Sequence, residues 1–209
     1  MKFELKNAVW INAPGSFSVG EDSLEFDTEP NTDFWQRTYY GFCNDNSPAL
    51  LNEADFNFSF SVKCSFGYKK MFDQCGILVY SDSENWMKAG LEYENERISR
   101  LGSVVTNSGY SDWATTDIEN LGCVYYRLHR RGPDFMIESS YDGLFYTQMR
   151  IFHMHAFGET TVEMGKEEPM IGDVAPLRFG LYASSPAESS FKAKFTQIDL
   201  RECGWKAHS

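Results

Sequence analysis

The stretch Phe56-Asn57-Phe58-Ser59-Phe60-Ser61-Val62, taken as extended chain, sends Phe56, Phe58, Phe60 and Val62 to one side and Asn57, Ser59 and Ser61 to the other. Side chains alternate with a period of two along a strand, so this is a strand with one buried and one wet face. A helix would scatter the same four apolar residues around its circumference.

The pattern recurs on both sides of this stretch. Phe191-Lys192-Ala193-Lys194-Phe195 repeats it. Leu177, Phe179, Leu181 and Ala183 alternate with Arg178, Gly180 and Tyr182, and Val124, Tyr126 and Leu128 with Tyr125, Arg127 and His129. Shorter runs at 24–28, 76–80, 86–93, 101–106, 134–139 and 144–151 read the same way. Arg131-Gly132-Pro133-Asp134 and Tyr141-Asp142-Gly143 separate neighbouring runs with hairpin-turn chemistry. No capped amphipathic helix of even ten residues stands out. About ten strands without repeat or linker predict an all-β fold, a two-sheet antiparallel sandwich forming one domain over residues 1–209.

Composition agrees. Of 209 residues, 42% are apolar and 23% charged, which argues against disorder, and the 16% aromatic share suits half-buried pleated surfaces. The formal net charge of −11 repels phosphate backbones and anionic lipid, so neither nucleic acid nor a membrane is expected as partner. The N-terminus lacks the apolar core of a secretory signal, and no stretch approaches the length needed to span a bilayer. Cys43, Cys64, Cys75, Cys123 and Cys203 form an odd set without a CxxC pair, as expected of reduced thiols in a cytoplasmic protein.

Several strings taken together carry a resemblance. They are Asn31-Thr32-Asp33-Phe34-Trp35, Phe72-Asp73-Gln74-Cys75-Gly76, Trp86-Met87-Lys88-Ala89-Gly90-Leu91-Glu92, Ser103-Val104-Val105-Thr106 and Ser111-Asp112-Trp113. Ser140-Tyr141-Asp142-Gly143 and Gly180-Leu181-Tyr182-Ala183-Ser184-Ser185-Pro186 complete the set. In this order they resemble a family of unknown function, domain of unknown function 1349, that includes the yeast "regulation of enolase" protein and sits in the concanavalin A-like lectin/glucanase superfamily. The resemblance spans roughly residues 8–201. It implies a jelly-roll sandwich and, by fold analogy alone, a polysaccharide-directed concave sheet face.

Candidate site residues follow from strand polarity. If Met87, Ala89, Leu91 and Tyr93 face the core, Trp86, Lys88, Gly90, Glu92 and Glu94 point away from it. The same alternation places Arg127 and Arg178 on open faces. A groove lined by Lys88, Glu92, Arg127 and Arg178 is one reading; solvated cross-strand ion pairing is the other. Asp33-Phe34-Trp35 and Asp112-Trp113 each join an acid to a large ring, which suits a sugar, whose C–H face stacks on an aromatic while its hydroxyls donate to a carboxylate. Equally, Trp35 and Trp113 could plug a core while Asp33 and Asp112 cap loop amides.

Glu92-Tyr93-Glu94-Asn95-Glu96 is similar to the alternating acidic motif of superfamily glucanases but departs from it: the central acid is Glu and Lys88 precedes the string. Only Glu92 falls on a string shared with the family, so it is the one catalytic candidate. His153-Met154-His155 could offer two imidazoles to a metal, yet no third ligand stands at a telling distance. Neither metal nor cofactor is expected. The reading taken forward is a non-catalytic module binding a carbohydrate or similar polar ligand. A glycoside-active enzyme using Glu92, and a regulatory domain contacting a protein partner through this face or the 159–175 loop, are its rivals.

Overall fold

The computed structural model describes residues 1–166 and 175–206. The first half of the chain lays down β1 (Val9–Ile11), β2 (Phe17–Val19), β3 (Leu24–Asp27), β4 (Phe34–Gln36), β5 (Cys43–Asp45), β6 (Ala49–Ala54), β7 (Phe58–Phe66) and β8 (Gln74–Asp82). The second half adds β9 (Asn85–Tyr93), β10 (Ile98–Asn107), β11 (Tyr110–Glu119), β12 (Cys123–Arg131), β13 (Asp134–Ser140), β14 (Thr147–His153), β15 (Leu177–Ser184) and β16 (Lys192–Glu202). The helical content among the described residues is a single 3-10 turn, His155–Phe157. No helix there is long and apolar enough to cross a membrane.

These strands form two seven-stranded sheets, β1-β6-β15-β8-β9-β10-β11 and β14-β13-β12-β7-β16-β3-β2, antiparallel throughout. They pack face to face as a concanavalin A-like jelly-roll sandwich. The alternation explains why. Ile77, Met87, Leu91, Phe179 and Leu181 project inward from the first sheet, and Phe58, Phe60, Val62, Tyr126, Leu128 and Phe195 from the second. The rings of Phe58 and Phe179 stack across the gap at 4.2 Å between centroids. Each such side chain removed from water contributes about 1.5–3 kcal/mol, so one face of each strand that carries them is fixed inward.

Six strands are absent from the strand expectation: β1, β2, β4, β5, β6 and β11. Strand β11 is exposed along most of its length, so its sequence carries no alternating apolar signal. The β4–β5 hairpin, too short to show a period, leaves both sheets and lies over the outer face of the first. There Phe34, fully buried, packs against Tyr80, Trp86 and Tyr182 and builds a second apolar cluster with Leu51, Leu78 and Val104. Polar ties hold the hairpin down. The Gln36 amide donates to Ser111 Oγ, Tyr80 donates to Asp45 Oδ2 at 2.8 Å, and Arg37 forks onto Glu84.

The 159–175 loop, read as a contact segment, lies partly outside the described residues. Its described end is anchored by Arg130, a fully buried cation whose guanidinium donates to the Ala54, Gly132 and Ala175 carbonyls.

Candidate functional site

Cross-strand register sets the floor of a cavity on the outer face of the first sheet. Lys88 faces Leu78 and Val104, Gly90 faces Gly76 and Gly102, and Glu92 faces Gln74 and Arg100. Strand polarity is therefore as the alternation implies: Met87, Ala89 and Leu91 are in the main core, and Lys88, Gly90 and Glu92 point the other way. The face is not open, however. The hairpin fills the end nearest Trp86, and what remains is a cavity of about 370 Å³.

Glycine shapes that floor. A Cβ at Gly90 would lie 2.6 Å from the Cys75 carbonyl oxygen and 2.8 Å from the Tyr182 hydroxyl. The space beside Gly90 is thus taken by the protein itself: neighbouring backbone and the Tyr182 phenol. From there the Tyr182 hydroxyl donates to Gln74 Oε1 at 3.3 Å. The Gln74 amide nitrogen in turn donates to Glu92 Oε2 at 3.1 Å and to the Phe72 carbonyl.

Two ion pairs flank this relay. Lys88 Nζ lies 2.6 Å from Asp33 Oδ1, both side chains well shielded, and the same oxygen accepts the Phe34 amide. Arg100 pairs with Glu94 at 3.1 Å and more loosely with Asp117. Glu92 is left between them. Among the described side chains lining the cavity, its Oε1 is the buried polar atom without a hydrogen-bond partner. Burial pushes the Glu92 carboxyl up to about 7 against the pull of Lys88 and Arg100, and Asp33 and Glu94 add to the push. Near neutrality it can donate or accept a hydrogen bond.

The walls are aromatic. Trp35 and Trp113 meet edge to face, 6.3 Å apart at 89°, and the Arg100 guanidinium lies 5.6 Å from the Trp113 ring. Tyr40 and Phe42 stack on each other, and both line the cavity with partly exposed rings, as do Phe72 and Trp113. A shallower depression shares Trp35, Tyr40 and Trp113 and adds Tyr39 and Asp112.

Of the residues singled out from sequence, Asp33, Trp35, Lys88, Glu92 and Trp113 line this one cavity. Asp112 does not; it borders the shallower depression, and its carboxylate pairs with Arg150 of β14 at 3.0 Å. Arg178 is in the same sheet but opposite Tyr80, at the end the hairpin covers, where its guanidinium stacks on that ring and donates to the Ser81 carbonyl.

Arg127 corrects the expected groove. Its strand, β12, belongs to the second sheet, so an outward side chain there faces the opposite surface of the molecule, where it pairs with Glu138 and stacks on Tyr146. Gln74, Arg100 and Tyr182, with Tyr40 and Phe42, are site residues the sequence reading missed. Gln74 stands in a string already noted, and its register opposite Glu92 is the signal that would have found it.

Elsewhere, the rings of His153 and His155 lie 4.7 Å apart, with His153 Nδ1 engaged by Asp134 at 2.9 Å. No group of three metal-ligating side chains occurs among the described residues. Glu94 is tied to Arg100, and Glu96 is exposed, so the acidic string does not present its carboxylates together.

Comparison with known proteins places the fold and the chain. A solved Saccharomyces cerevisiae protein described as functionally unknown superposes with a TM-score of 0.81 at 27% identity, covering 96% of this chain and 98% of the other. The GH43 BlXynB protein of Bacillus licheniformis gives 0.62 at 18% identity, covering 92% of this chain but 35% of its own; this likeness is one of fold. An alginate lyase from Klebsiella pneumoniae gives 0.51 at 9%, covering 91% and 85%, likewise in fold. In sequence, "Regulation of enolase protein 1" of Saccharomyces cerevisiae is 38% identical over 112 residues, about half of each protein at 54% of this chain and 56% of that one. The family described as "Protein of unknown function (DUF1349)" matches residues 10–203, and this chain belongs to it.

Proposed function

We propose that this protein is a non-catalytic binding module that takes a carbohydrate of one or two rings into the cavity between Trp113 and Glu92. The observation that carries the reading is a pocket with aromatic walls and a polar floor that retains an unpartnered buried carboxyl oxygen. A sugar offers an apolar C–H face and a rim of hydroxyls, and so matches both surfaces at once. Trp113, Tyr40 and Phe42 provide ring faces for stacking. Glu92, Gln74 and the Lys88–Asp33 pair supply hydrogen bonds of both senses, and two of these groups are charged, which strengthens the bonds they make. The volume lies within the range of about 300–1,000 Å³ usual for small-molecule sites.

The test is a titration of neutral oligosaccharides derived from cellulose, xylan, mannan and chitin, followed by tryptophan fluorescence. Saturable binding should appear with at least one of them. Trp113→Ala should weaken it about tenfold, the loss of roughly 1.4 kcal/mol of stacking. No binding to any of the panel, or binding unchanged in both Trp113→Ala and Glu92→Gln, would count against the reading.

Glycoside cleavage is the second reading, favoured by one observation: a second carboxyl, Asp33, shares the cavity with Glu92, whose burial holds its proton toward neutrality as a general acid requires. The Asp33 oxygen is already engaged by Lys88 and the Phe34 amide, which speaks for binding alone. Oligosaccharides recovered intact after prolonged incubation would dispose of the enzymatic reading. Products that vanish in Glu92→Gln would establish it.

A further inference from the structure

We infer that the carbohydrate taken by this cavity carries a basic amine, and that its ammonium seats on Glu92 Oε1 while its ring stacks against the tryptophan wall. The inference rests on the carbohydrate reading and specifies the class of sugar.

Charge accounting within the cavity leads to it. Lys88 on β9 answers Asp33 ahead of β4, and Arg100 on β10 answers Glu94 and Asp117. Those contacts leave Glu92 as the carboxylate without a counter-ion, since no cationic side chain among the described residues comes within ion-pairing distance of it. Its hydrogen-bond partner is neutral: Gln74 from β8 donates to Oε2 and is oriented by Tyr182 from β15, while Lys88 and Arg100 act on it from beyond contact. A buried carboxylate without a cation is costly, and this one meets that cost by holding its proton up to about neutrality. An arriving ammonium would remove the imbalance, donating to Oε1 and restoring the ionised form.

The walls favour the same guest. Trp35 and Trp113 stand at right angles, and aromatic faces attract cations through their quadrupoles. The net charge of −11 adds a long-range pull on a cationic ligand. A neutral sugar would satisfy the stacking surface and leave the charge deficit as it is. An anionic sugar would meet Glu92 as a like charge.

The experiment compares glucosamine oligosaccharides with cello-oligosaccharides of equal length, which differ in carrying a hydroxyl where the former carry an amine. Calorimetric titration at pH 7 should show the amine series bound about tenfold more tightly. Glu92→Gln, which keeps the shape and removes the charge, should bring the affinities of the two series to within twofold of each other. Equal affinity for the two series in the wild type, or a preference that survives Glu92→Gln, would overturn the amine inference and leave the carbohydrate reading standing. Binding of neither series, nor of any neutral sugar in the wider panel, would overturn both.

Discussion

The two sheets present two outer faces, and both carry a row of polar side chains that the same alternation pattern sends outward. On the second sheet, Ser59, Arg127, His129 and Glu138 lie side by side and satisfy one another. Ser59 meets His129 Nδ1 at 2.7 Å and accepts the Gly204 amide, while Glu138 takes His129 Nε2 and Arg127. On the first sheet, Lys88 and Glu92 lie on one strand at i and i+4, yet Lys88 finds its partner 55 residues earlier, in the hairpin that covers it. Glu92 keeps one oxygen unanswered. A face that neutralises itself laterally is a surface; a face covered by a distant segment with a charge left over is a site. The difference lies in what covers the strand, since the outward pattern is alike.

The contrast breaks most visibly at Lys88. Lys88→Met leaves Asp33 shielded and without its ammonium, and removing one partner of a buried pair costs about 3–5 kcal/mol. The exposure of Asp33, 14%, places the expected loss near 3 kcal/mol, read from urea denaturation. A loss under about 1 kcal/mol would mean that the pair behaves as an exposed one and that this face is as solvated as its counterpart.

The pH dependence separates the faces by sign. Glu92 has a folded-state pKa near 7 against an ordinary 4.5, so the folded protein holds this proton more tightly than the unfolded chain. Its contribution is full below pH 4.5 and is lost as pH rises through 7. Glu92→Gln does not titrate there. From pH 4.5 to pH 8 the stability difference should shift in favour of the variant by about 2 kcal/mol, allowing for partial solvation at 1.36 kcal/mol per unit. His129 runs the other way. Burial holds its imidazole below the ordinary 6.5, so the unfolded chain takes up a proton that the folded one resists, and stability falls as pH drops below 6.5. Chemical denaturation of wild type, Glu92→Gln and His129→Gln across pH 4.5–8 checks both slopes. Slopes of the same sign would remove the distinction.

How far this was legible in the sequence differs between fold and site. Strands with one face in the core declared themselves, because burying Phe58, Phe60 and Val62 forces a period of two that nothing else produces. Strand β11 did not, since an edge strand exposed on most positions has no such constraint. The polarity of β9 was readable from Met87, Ala89 and Leu91. The partners of its outward residues were not: Asp33 reaches Lys88 through a hairpin whose docking depends on Phe34 entering a cluster assembled from five strands. Sheet membership was the other gap. Alternation tells which residues of β12 and β15 face outward but not which sheet carries them, and that gap put Arg127 beside Glu92 on paper. Strand order, set by pairings such as Gly180 with Leu51 and Arg127 with Ser61, decides it.

Arg127 offers the smallest effect and the sharpest test of that correction. Its guanidinium contacts Glu138 at 3.3 Å and covers Tyr146, but Glu138 keeps His129 when the arginine is removed, and the pair is partly solvated. Lateral pairs of this kind contribute about 0–1 kcal/mol. Arg127→Met should therefore cost less than about 1 kcal/mol and leave binding at the cavity unchanged within error, because Glu138 and Tyr146, which the arginine contacts, do not line the cavity. Affinity for the oligosaccharides that falls with Arg127→Met would return Arg127 to the groove from which the strand order removes it.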